Sequence, residues 1–167
     1  MSDRHHRKRE VKNVGCAVLT ISDTRTPEDD ESGKAIMRDL RTAGHRILEY
    51  SIVPNKDEDI RHALFSGIEH DEIAAIITNG GTGISKRDLT VETVLPMLEK
   101  KLDGFGEYFR LLCCEQIGSA GIISRAVGGV VGSTLVLCIP GSLNAVSLAM
   151  GKMIIPQLGY MVWEVSH

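Results

Sequence analysis

Aromatic residues are scarce in this chain. Its 167 residues include one tryptophan, three tyrosines and three phenylalanines. Proteins that hold single-stranded nucleic acid stack the bases on aromatic side chains, so the composition argues against that class. The net charge of −3 likewise supplies no excess of positive charge for duplex DNA. We therefore expect no nucleic-acid partner.

Cysteine motifs and long apolar runs are also missing. The four cysteines form no C-x-x-C pair, and the six histidines show no metal-binding spacing. No apolar run reaches the roughly 18 residues that span a bilayer. The basic start of the chain is not followed by the apolar segment of a secretory signal. The sequence therefore predicts a cytoplasmic protein with reduced thiols and no membrane partner.

Glycine, in contrast, is abundant, with 17 residues. Without repeats or proline enrichment, this abundance indicates tight turns and close backbone contacts. The length corresponds to one domain. Residues 1–12 carry five basic side chains against two acidic ones and are interpreted as a flexible basic N-terminal extension. Residues 13–167 would then form the single domain.

Apolar strand patterns alternate with helical patterns along the chain. Strands are predicted at Val14–Ile21, His45–Val53, Ile73–Thr78 and Leu135–Ile139, and the first and fourth of them are predicted to be buried. Helices are predicted at Gly33–Ala43, from an N-cap at Asn55 through Gly67, at Thr90–Leu102, at Gly106–Ile117 and at Leu143–Ile155. This alternation is typical of a mostly parallel sheet covered on both faces. The sequence therefore predicts an α/β fold, a single three-layer α/β/α domain.

Proline and glycine predict the breaks in this pattern. Pro96 is expected to end or kink the helix that begins at Thr90, and Pro156 to follow the end of the last helix. Gly128, Gly129 and Gly132 are expected in turns before the fourth predicted strand.

The third predicted strand runs into the loop Thr78-Asn79-Gly80-Gly81-Thr82-Gly83. Its three glycines let backbone N–H groups approach an anion, and Thr78 and Thr82 add hydroxyl donors. The spacing is not that of a P-loop. A dinucleotide fingerprint would need a third glycine at Lys86, which argues against a nicotinamide-dependent oxidoreductase. The loop is interpreted as an anion cradle, with a plain strand-to-helix turn as the alternative.

Charged side chains follow this loop at Lys86, Arg87 and Asp88. Cations beside a cradle neutralise phosphate charge. A carboxylate beside the same cradle would repel the phosphate unless a divalent cation lay between the two. Asp88 is therefore a candidate Mg²⁺ ligand. Its alternative role is to cap a helix that begins near Thr90.

Two further strands end in polar loops. Pro140-Gly141-Ser142 directly precedes a helix, so backbone N–H groups and the Ser142 hydroxyl form a second candidate anion site. Ser142 is equally well explained as the N-cap of that helix. Ser22 and Asp23 follow the first strand, at the same edge of a parallel sheet. Two anion loops at one edge point to a phosphorylated cofactor or a nucleotide.

The motifs, taken in order, resemble those of the MoaB/Mog family of molybdenum cofactor biosynthesis proteins. They are Ile21-Ser22-Asp23, Thr78–Gly83 with Asp88–Glu92, Gly104–Glu107, Ser124-Arg125-Ala126 and Pro140-Gly141-Ser142. The resemblance implies binding of molybdopterin, a pterin with a dithiolene and a terminal phosphate. Active relatives use Mg²⁺ and ATP to attach AMP to that phosphate. It also implies assembly as a homotrimer or homohexamer, with other cofactor-biosynthesis proteins as further partners.

The same resemblance assigns roles to individual residues. The phosphate-binding loop would be Gly80, Gly81, Thr82 and Gly83, and Asp88 would be the catalytic, metal-linked carboxylate. The other residues expected at the substrate are Ser22, Asp23, Asn55, Thr78, Pro140, Gly141 and Ser142. Mog-type members have a second proline where this chain has Leu143, which makes the chain more similar to MoaB.

Asn55 departs from the pattern of the active Mog-type relatives. They carry an aspartate directly after the proline that follows the second strand, and here Asn55 follows Pro54. Asparagine supplies no negative charge to Mg²⁺, and Asp57 would substitute only if the loop shifted. Two functions therefore stay open. One is a molybdopterin adenylyltransferase, which is a nucleotidyltransferase, and the other is a non-catalytic pterin-binding or scaffold protein.

Overall fold

The computed structural model describes residues 9–167. Its six strands are β1 (Gly15–Ile21), β2 (Arg46–Val53), β3 (Ala75–Asn79), β4 (Lys100–Lys101), β5 (Val127–Val131) and β6 (Thr134–Ile139). They form one sheet in the order β2-β1-β3-β6-β5-β4. The first four strands of that order run parallel, and β5 and β4 add an antiparallel edge. The predicted α/β fold with a mostly parallel sheet is confirmed.

Helices cover both faces of the sheet. They are α1 (Glu31–Thr42), α2 (Asp57–Ile68), α3 (Thr90–Val94), α4 (Asp103–Ile117) and α5 (Leu143–Ser166). Successive residues of a strand point to opposite faces, so Ile77 of β3 packs with α1, α4 and α5, whereas Ile76 packs with α2 and α3. Two apolar cores therefore lie on either side of the sheet, which gives the three predicted layers.

The last helix is longer than the sequence predicts. An end before Pro156 is wrong, because the helix continues to Ser166. A π-helical stretch, Met150–Ile154, directly precedes the turn that contains Pro156. Proline lacks an N–H and its ring clashes with the carbonyl four residues back, and the wider turn relieves this conflict.

Helix α5 has 24 residues and, by length and composition alone, is long and apolar enough to cross a membrane. Its inward side is nevertheless part of the core: Val146, Leu158 and Val162 are buried against the sheet. This packing accounts for the apolar composition of the helix.

Two other expectations need correction. The helix that begins at Thr90 ends at Val94 and is followed by a 3₁₀ turn containing Pro96, so it is much shorter than predicted. Gly128 and Gly129 were expected in turns but lie in β5. A glycine pair carries no apolar pattern by which the strand could be predicted. At Gly128 the absence of a side chain leaves room for the Phe105 ring, which would lie 3.0 Å from a Cβ. Gly132 does occupy a turn, with φ +59°.

The structure describes only the last four residues, 9–12, of the predicted N-terminal extension. Residues 1–8 lie outside the described residues. Near the end of the extension, the N–H of Val11 donates a hydrogen bond to the carbonyl of Gly159 at 2.9 Å. The Arg9 guanidinium lies 5.2 Å from the centre of the Trp163 ring, within the range of a cation–π contact. This part of the extension therefore contacts α5.

Candidate functional site

The predicted site residues meet at the carboxyl ends of β1, β3 and β6. Thr20 lies opposite Asn79, and Asn79 opposite Ile139, so the loops after these strands leave the sheet side by side. A cavity of about 380 Å³ opens there. It is lined by Gly80, Gly81, Thr82, Gly83, Asp88, Ile123, Ser124, Arg125, Pro140 and Gly141. A slightly larger cavity, of about 420 Å³ between α5 and β5, contains none of the predicted site residues.

Two glycines give the first loop its shape. Gly80 and Gly81 have φ values of +97° and +65°, a region that other residues rarely adopt. There is also no room for a side chain. A Cβ at Gly80 would lie 2.4 Å from the carbonyl oxygen of Ile21, and one at Gly81 would lie 2.3 Å from Oγ1 of Thr90. The backbone therefore borders the cavity directly.

The carbonyl groups of this loop are all engaged by donors of the chain itself. Thr90 donates from Oγ1 to the carbonyl of Gly80 and from its N–H to that of Gly81. Arg125 donates to the carbonyls of Thr82 and Gly83, at 2.8 and 2.6 Å. The N–H groups of Gly81, Thr82 and Gly83 donate to no acceptor within residues 9–167. The loop thus has its carbonyls tied back and its donors available for an anion.

Arg125 is one of three cavity-lining residues, with Ile123 and Ser124, to which the sequence analysis assigns no role. It lies more than 40 positions from the loop it holds, and its guanidinium also pairs with the Glu92 carboxylate at 2.7 Å. The hydrogen bond from Arg125 holds the pKa of Glu92 below its usual value. The signal that pointed to Arg125 was its place in the Ser124-Arg125-Ala126 motif. Lys86 and Arg87, the cations predicted beside the cradle, are exposed and do not line the cavity.

Asp88 lines the cavity and does not cap a helix. The residue at the N-cap of α3 is Leu89, which makes no side-chain cap. Oδ2 of Asp88 accepts from the N–H and the hydroxyl of Ser85, at 3.1 and 2.7 Å. Oδ1 has no donor among the described residues. A Cβ at Gly83 would lie 2.5 Å from Oδ2, so the carboxylate lies directly against the glycine loop.

Asn55 lies next to this segment, although it does not cap α2 as predicted. Its Oδ1 accepts from the N–H of Leu89 at 3.2 Å, and Lys56 is the N-cap. The side chain is therefore used across the site rather than within its own helix. Asp23 joins this group because its Oδ1 accepts from the N–H of Asn55 at 2.8 Å.

Asp57, the suggested substitute for the missing aspartate, is turned elsewhere. Its carboxylate accepts from Oγ1 of Thr93 at 2.8 Å and pairs with Arg61 at 3.0 Å. These two contacts lower the pKa of Asp57. It does not line the cavity, so the structure leaves Asp88 as the carboxylate at the cavity wall.

Five predicted ligand residues do not line the cavity: the linked pair Asp23 and Asn55, and also Ser22, Thr78 and Ser142. Ser22 Oγ accepts from the N–H groups of Thr24 and Arg25 and so closes its own turn. Thr78 is fully buried in β3, where it lies opposite Cys138. Burial raises the pKa of the Cys138 thiol to about 12. Ser142 caps α5, with Oγ accepting from the N–H of Ala145 at 3.2 Å. The capping alternative for Ser142 is therefore confirmed.

Comparisons with known proteins agree with this arrangement. Residues 17–160 match the family described as "Probable molybdopterin binding domain". A Bacillus cereus protein named molybdenum cofactor biosynthesis protein B is 45% identical over 166 residues, which cover 99% of this chain and 98% of that protein. A crystal structure of a molybdenum cofactor biosynthesis protein B has a TM-score of 0.90 and 46% identity, covering 93% of this chain and 97% of that one.

A more distant structure shows the same fold. The tungsten cofactor synthesizing protein MoaB from Pyrococcus furiosus is 31% identical and has a TM-score of 0.85, covering 94% of this chain and 99% of that one. The predicted resemblance to the MoaB/Mog family is thereby confirmed. On this match of sequence, fold and site motifs, the chain belongs to the MoaB family of molybdenum cofactor biosynthesis proteins, which share a molybdopterin-binding domain.

Proposed function

We propose that this chain binds molybdopterin in the cytoplasm, with the terminal phosphate of the pterin held by the loop from Gly80 to Gly83. The observation that carries the proposal is the division of that loop into engaged carbonyls and free N–H groups. Free amides that converge on one cavity bind phosphate oxygens through charge-assisted hydrogen bonds. A plain connecting turn would have no need to tie back four successive carbonyls.

The cavity also suits the uncharged part of such a ligand. The Pro140 ring and Ile123 line it beside the glycine loop, and Ile123 is more than half exposed. Apolar surface next to an anion cradle favours a ligand that combines a phosphate with a less polar body. A pterin phosphate has this combination.

Adenylyl transfer is a second candidate function, favoured by the state of Asp88. Both Ser85 hydrogen bonds go to Oδ2, so Oδ1 is left for a cation. Within residues 9–167, no cluster of three or more His, Cys, Asp or Glu side chains could hold a metal by itself. Mg²⁺ often binds through one carboxylate together with substrate phosphates and water, and Asp88 fits that role.

For this second function, the cofactors would be Mg²⁺ and ATP. When bound, Mg²⁺ would supply charge neutralisation for nucleotidyl transfer. The glycine loop would hold and orient the pterin phosphate, and Arg125 would keep the loop in place. Asn55, through the N–H of Leu89, would fix the segment that carries Asp88.

We further propose that the chain forms a homotrimer or homohexamer, as the resemblance implies. Large apolar side chains are exposed on α4 and the 3₁₀ turn after it. They are Tyr108, Leu111, Ile117, Ile122 and Ile123. Several large apolar side chains exposed on one segment of the chain are typical of protein contacts, which supports assembly and contact with other cofactor-biosynthesis proteins.

Direct titration of the purified protein with molybdopterin tests the binding function. We expect saturable binding by the wild type and an about tenfold weaker affinity in Arg125→Met. A tenfold change corresponds to the loss of roughly one oriented hydrogen bond to the ligand. The physical reason is that Thr82 and Gly83 lose the donor that fixes their carbonyls. Arg38→Met is the matched control, because it removes an arginine and a surface ion pair on α1 away from the cavity. Equal affinities in the two variants would remove Arg125 from the site.

Asn55→Asp separates the two candidate functions. An aspartate keeps the acceptor for the N–H of Leu89 and adds a negative charge beside Asp88, so we expect the fold to be retained. The Mg²⁺ concentration for half-maximal formation of adenylylated molybdopterin should fall about tenfold, equivalent to ~1.4 kcal/mol of added attraction. Product formation is measured with Mg²⁺ and ATP for the wild type, for Asn55→Asp and for Asn55→Ala. If none of the three forms product while the wild type binds molybdopterin, the non-catalytic function stands.

A further inference from the structure

Asp30 is a fully buried carboxylate that the proposed function does not use. It accepts hydrogen bonds from the Thr20 hydroxyl at 2.6 Å, the Tyr50 hydroxyl at 2.8 Å, the Gly33 N–H at 3.0 Å and the Arg25 guanidinium at 3.1 Å. Burial by itself would raise the pKa of Asp30, but these donors outweigh it and hold the pKa below its usual value. Buried charge is costly unless it is paired in this way. A cap for α1 would need only the bond from Gly33.

The additional bonds lead toward the cavity. The second nitrogen of the Arg25 guanidinium donates to the carbonyl of Gly141 at 2.9 Å, and the Ser32 hydroxyl donates to the same carbonyl at 2.7 Å. Arg25 is held in turn by its N–H bond to Ser22 Oγ at 3.1 Å. This gives Ser22, which was expected to touch the ligand, a place behind the cavity wall. Asp30, Arg25 and Ser32 are called the brace below.

The carbonyl that the brace holds belongs to the cavity wall. A Cβ at Gly141 would lie 3.0 Å from the Cα of Gly80, so the two anion loops are in direct contact. In a planar trans peptide the N–H of the next residue points opposite to the carbonyl. With the carbonyl of Gly141 turned back to the brace, the N–H of Ser142 is directed away from it. That N–H has no acceptor among the described residues.

We propose that the brace is a positioning device for ligand binding: Asp30 orients Arg25, and Arg25 and Ser32 fix the carbonyl of Gly141, which lines the cavity. The N–H of Ser142, directly after Gly141 in the chain, is thereby held ready as a further anion donor at the margin of the cavity. The proposal rests on the proposed binding of a phosphorylated pterin. It assigns binding energy to three side chains that do not contact the ligand. A purely structural role would instead predict that loss of any hydrogen bond to Asp30 has the same consequence.

Four variants distinguish these possibilities. Arg25→Met and Ser32→Ala each remove a donor to the Gly141 carbonyl. Tyr50→Phe is the matched control, because it removes a donor to Asp30 that does not reach Gly141. We expect an about tenfold weaker molybdopterin affinity in Arg25→Met, about threefold in Ser32→Ala and less than about twofold in Tyr50→Phe. Arg25→Lys keeps the charge but not the two-pronged guanidinium, so it should recover only part of the loss.

A second readout does not depend on the ligand. Amide hydrogen exchange of the segment 141–145 is measured in the wild type and the same variants. We expect exchange about tenfold faster in Arg25→Met and faster in Ser32→Ala, with Tyr50→Phe close to the wild type. If Arg25→Met does not fold, the exchange rates of Ser32→Ala and Tyr50→Phe at 141–145 are compared instead, and faster exchange in Ser32→Ala alone supports the brace.

The outcomes are separable. Unchanged exchange at 141–145 in both Arg25→Met and Ser32→Ala, or an equal loss of affinity in Tyr50→Phe, overturns the brace. Absence of molybdopterin binding by the wild type refutes the proposed function and with it the ligand side of the inference. In that case, faster exchange confined to Arg25→Met and Ser32→Ala still supports the brace as a device that holds the loop.

Discussion

Replacing Gly81 with alanine is expected to abolish useful binding of molybdopterin. The new Cβ would lie 2.3 Å from Oγ1 of Thr90, and the backbone there has φ +65°. The clash forces the loop away from Thr90 and misaligns its N–H groups. We expect an affinity about 100-fold lower, corresponding to two charge-assisted hydrogen bonds lost at roughly 1.5 kcal/mol each. Equilibrium titration with molybdopterin measures the change.

Gly44→Ala is the matched control for this substitution. Gly44 also has a positive φ, +87°, but no atom lies within 4 Å of its Cβ position, and it is at the opposite end of the strands. The control has the backbone strain but not the clash. This strain should lower its free energy of unfolding by about 1–2 kcal/mol. Its affinity should equal that of the wild type. If Gly81→Ala binds as tightly as Gly44→Ala, the glycine loop is a connecting turn and the anion cradle is refuted.

Asp88→Asn is expected to remove Mg²⁺-dependent adenylyl transfer and leave the fold intact. The amide oxygen of asparagine can still accept from the N–H and hydroxyl of Ser85, so the loop keeps its anchor. The negative charge for Mg²⁺ is lost, and the rate of product formation should fall by about 100-fold or more, because a bound cation contributes several kcal/mol to such reactions. Formation of adenylylated molybdopterin from Mg²⁺ and ATP is the measurement.

Asp39→Asn serves as the control, since it removes a carboxylate from a surface ion pair on α1. Thermal unfolding of both variants should be close to that of the wild type, and both should bind molybdopterin with similar affinity. Turnover by Asp88→Asn at the rate of Asp39→Asn would remove Asp88 from the catalytic role. A wild type that binds molybdopterin without turnover would instead exclude the transferase function.

Most of the fold could be predicted because its signals are local. The continuous apolar runs of β1, β3 and β6 identify a buried parallel sheet, and the mixed sequence of β2 fits its place at the edge. The elements that were missed lack such a signal. Strand β5 contains the glycine pair Gly128-Gly129, and α5 passes through Pro156, which in most helices marks an end. In both places tertiary packing outweighs the local preference of the residue types.

The candidate site divides in the same way. The glycine loop and Pro140-Gly141 could be predicted from composition and spacing. Glycines clustered directly after a strand indicate a backbone that needs positive φ or a close approach, which other residues do not allow. For Asp88 the sequence predicts two roles, a metal ligand or a helix cap, because a carboxylate before a helix is typical of both. The hydrogen bonds from Ser85 and the position of Leu89 decide against the cap.

The sequence by itself determined the α/β class, the family and the edge of the sheet where the candidate ligand loops lie. Only the tertiary structure decided how those loops are held. Arg125 contacts the carbonyls of Thr82 and Gly83, Asn55 contacts Leu89, and Arg25 contacts Gly141, each across more than 30 positions of sequence. A hydrogen bond between distant residues leaves no periodic pattern, because it depends on where the packed helices and strands bring the two atoms. The pattern of residues therefore located the cradle, and the folded chain alone revealed what keeps its donors free.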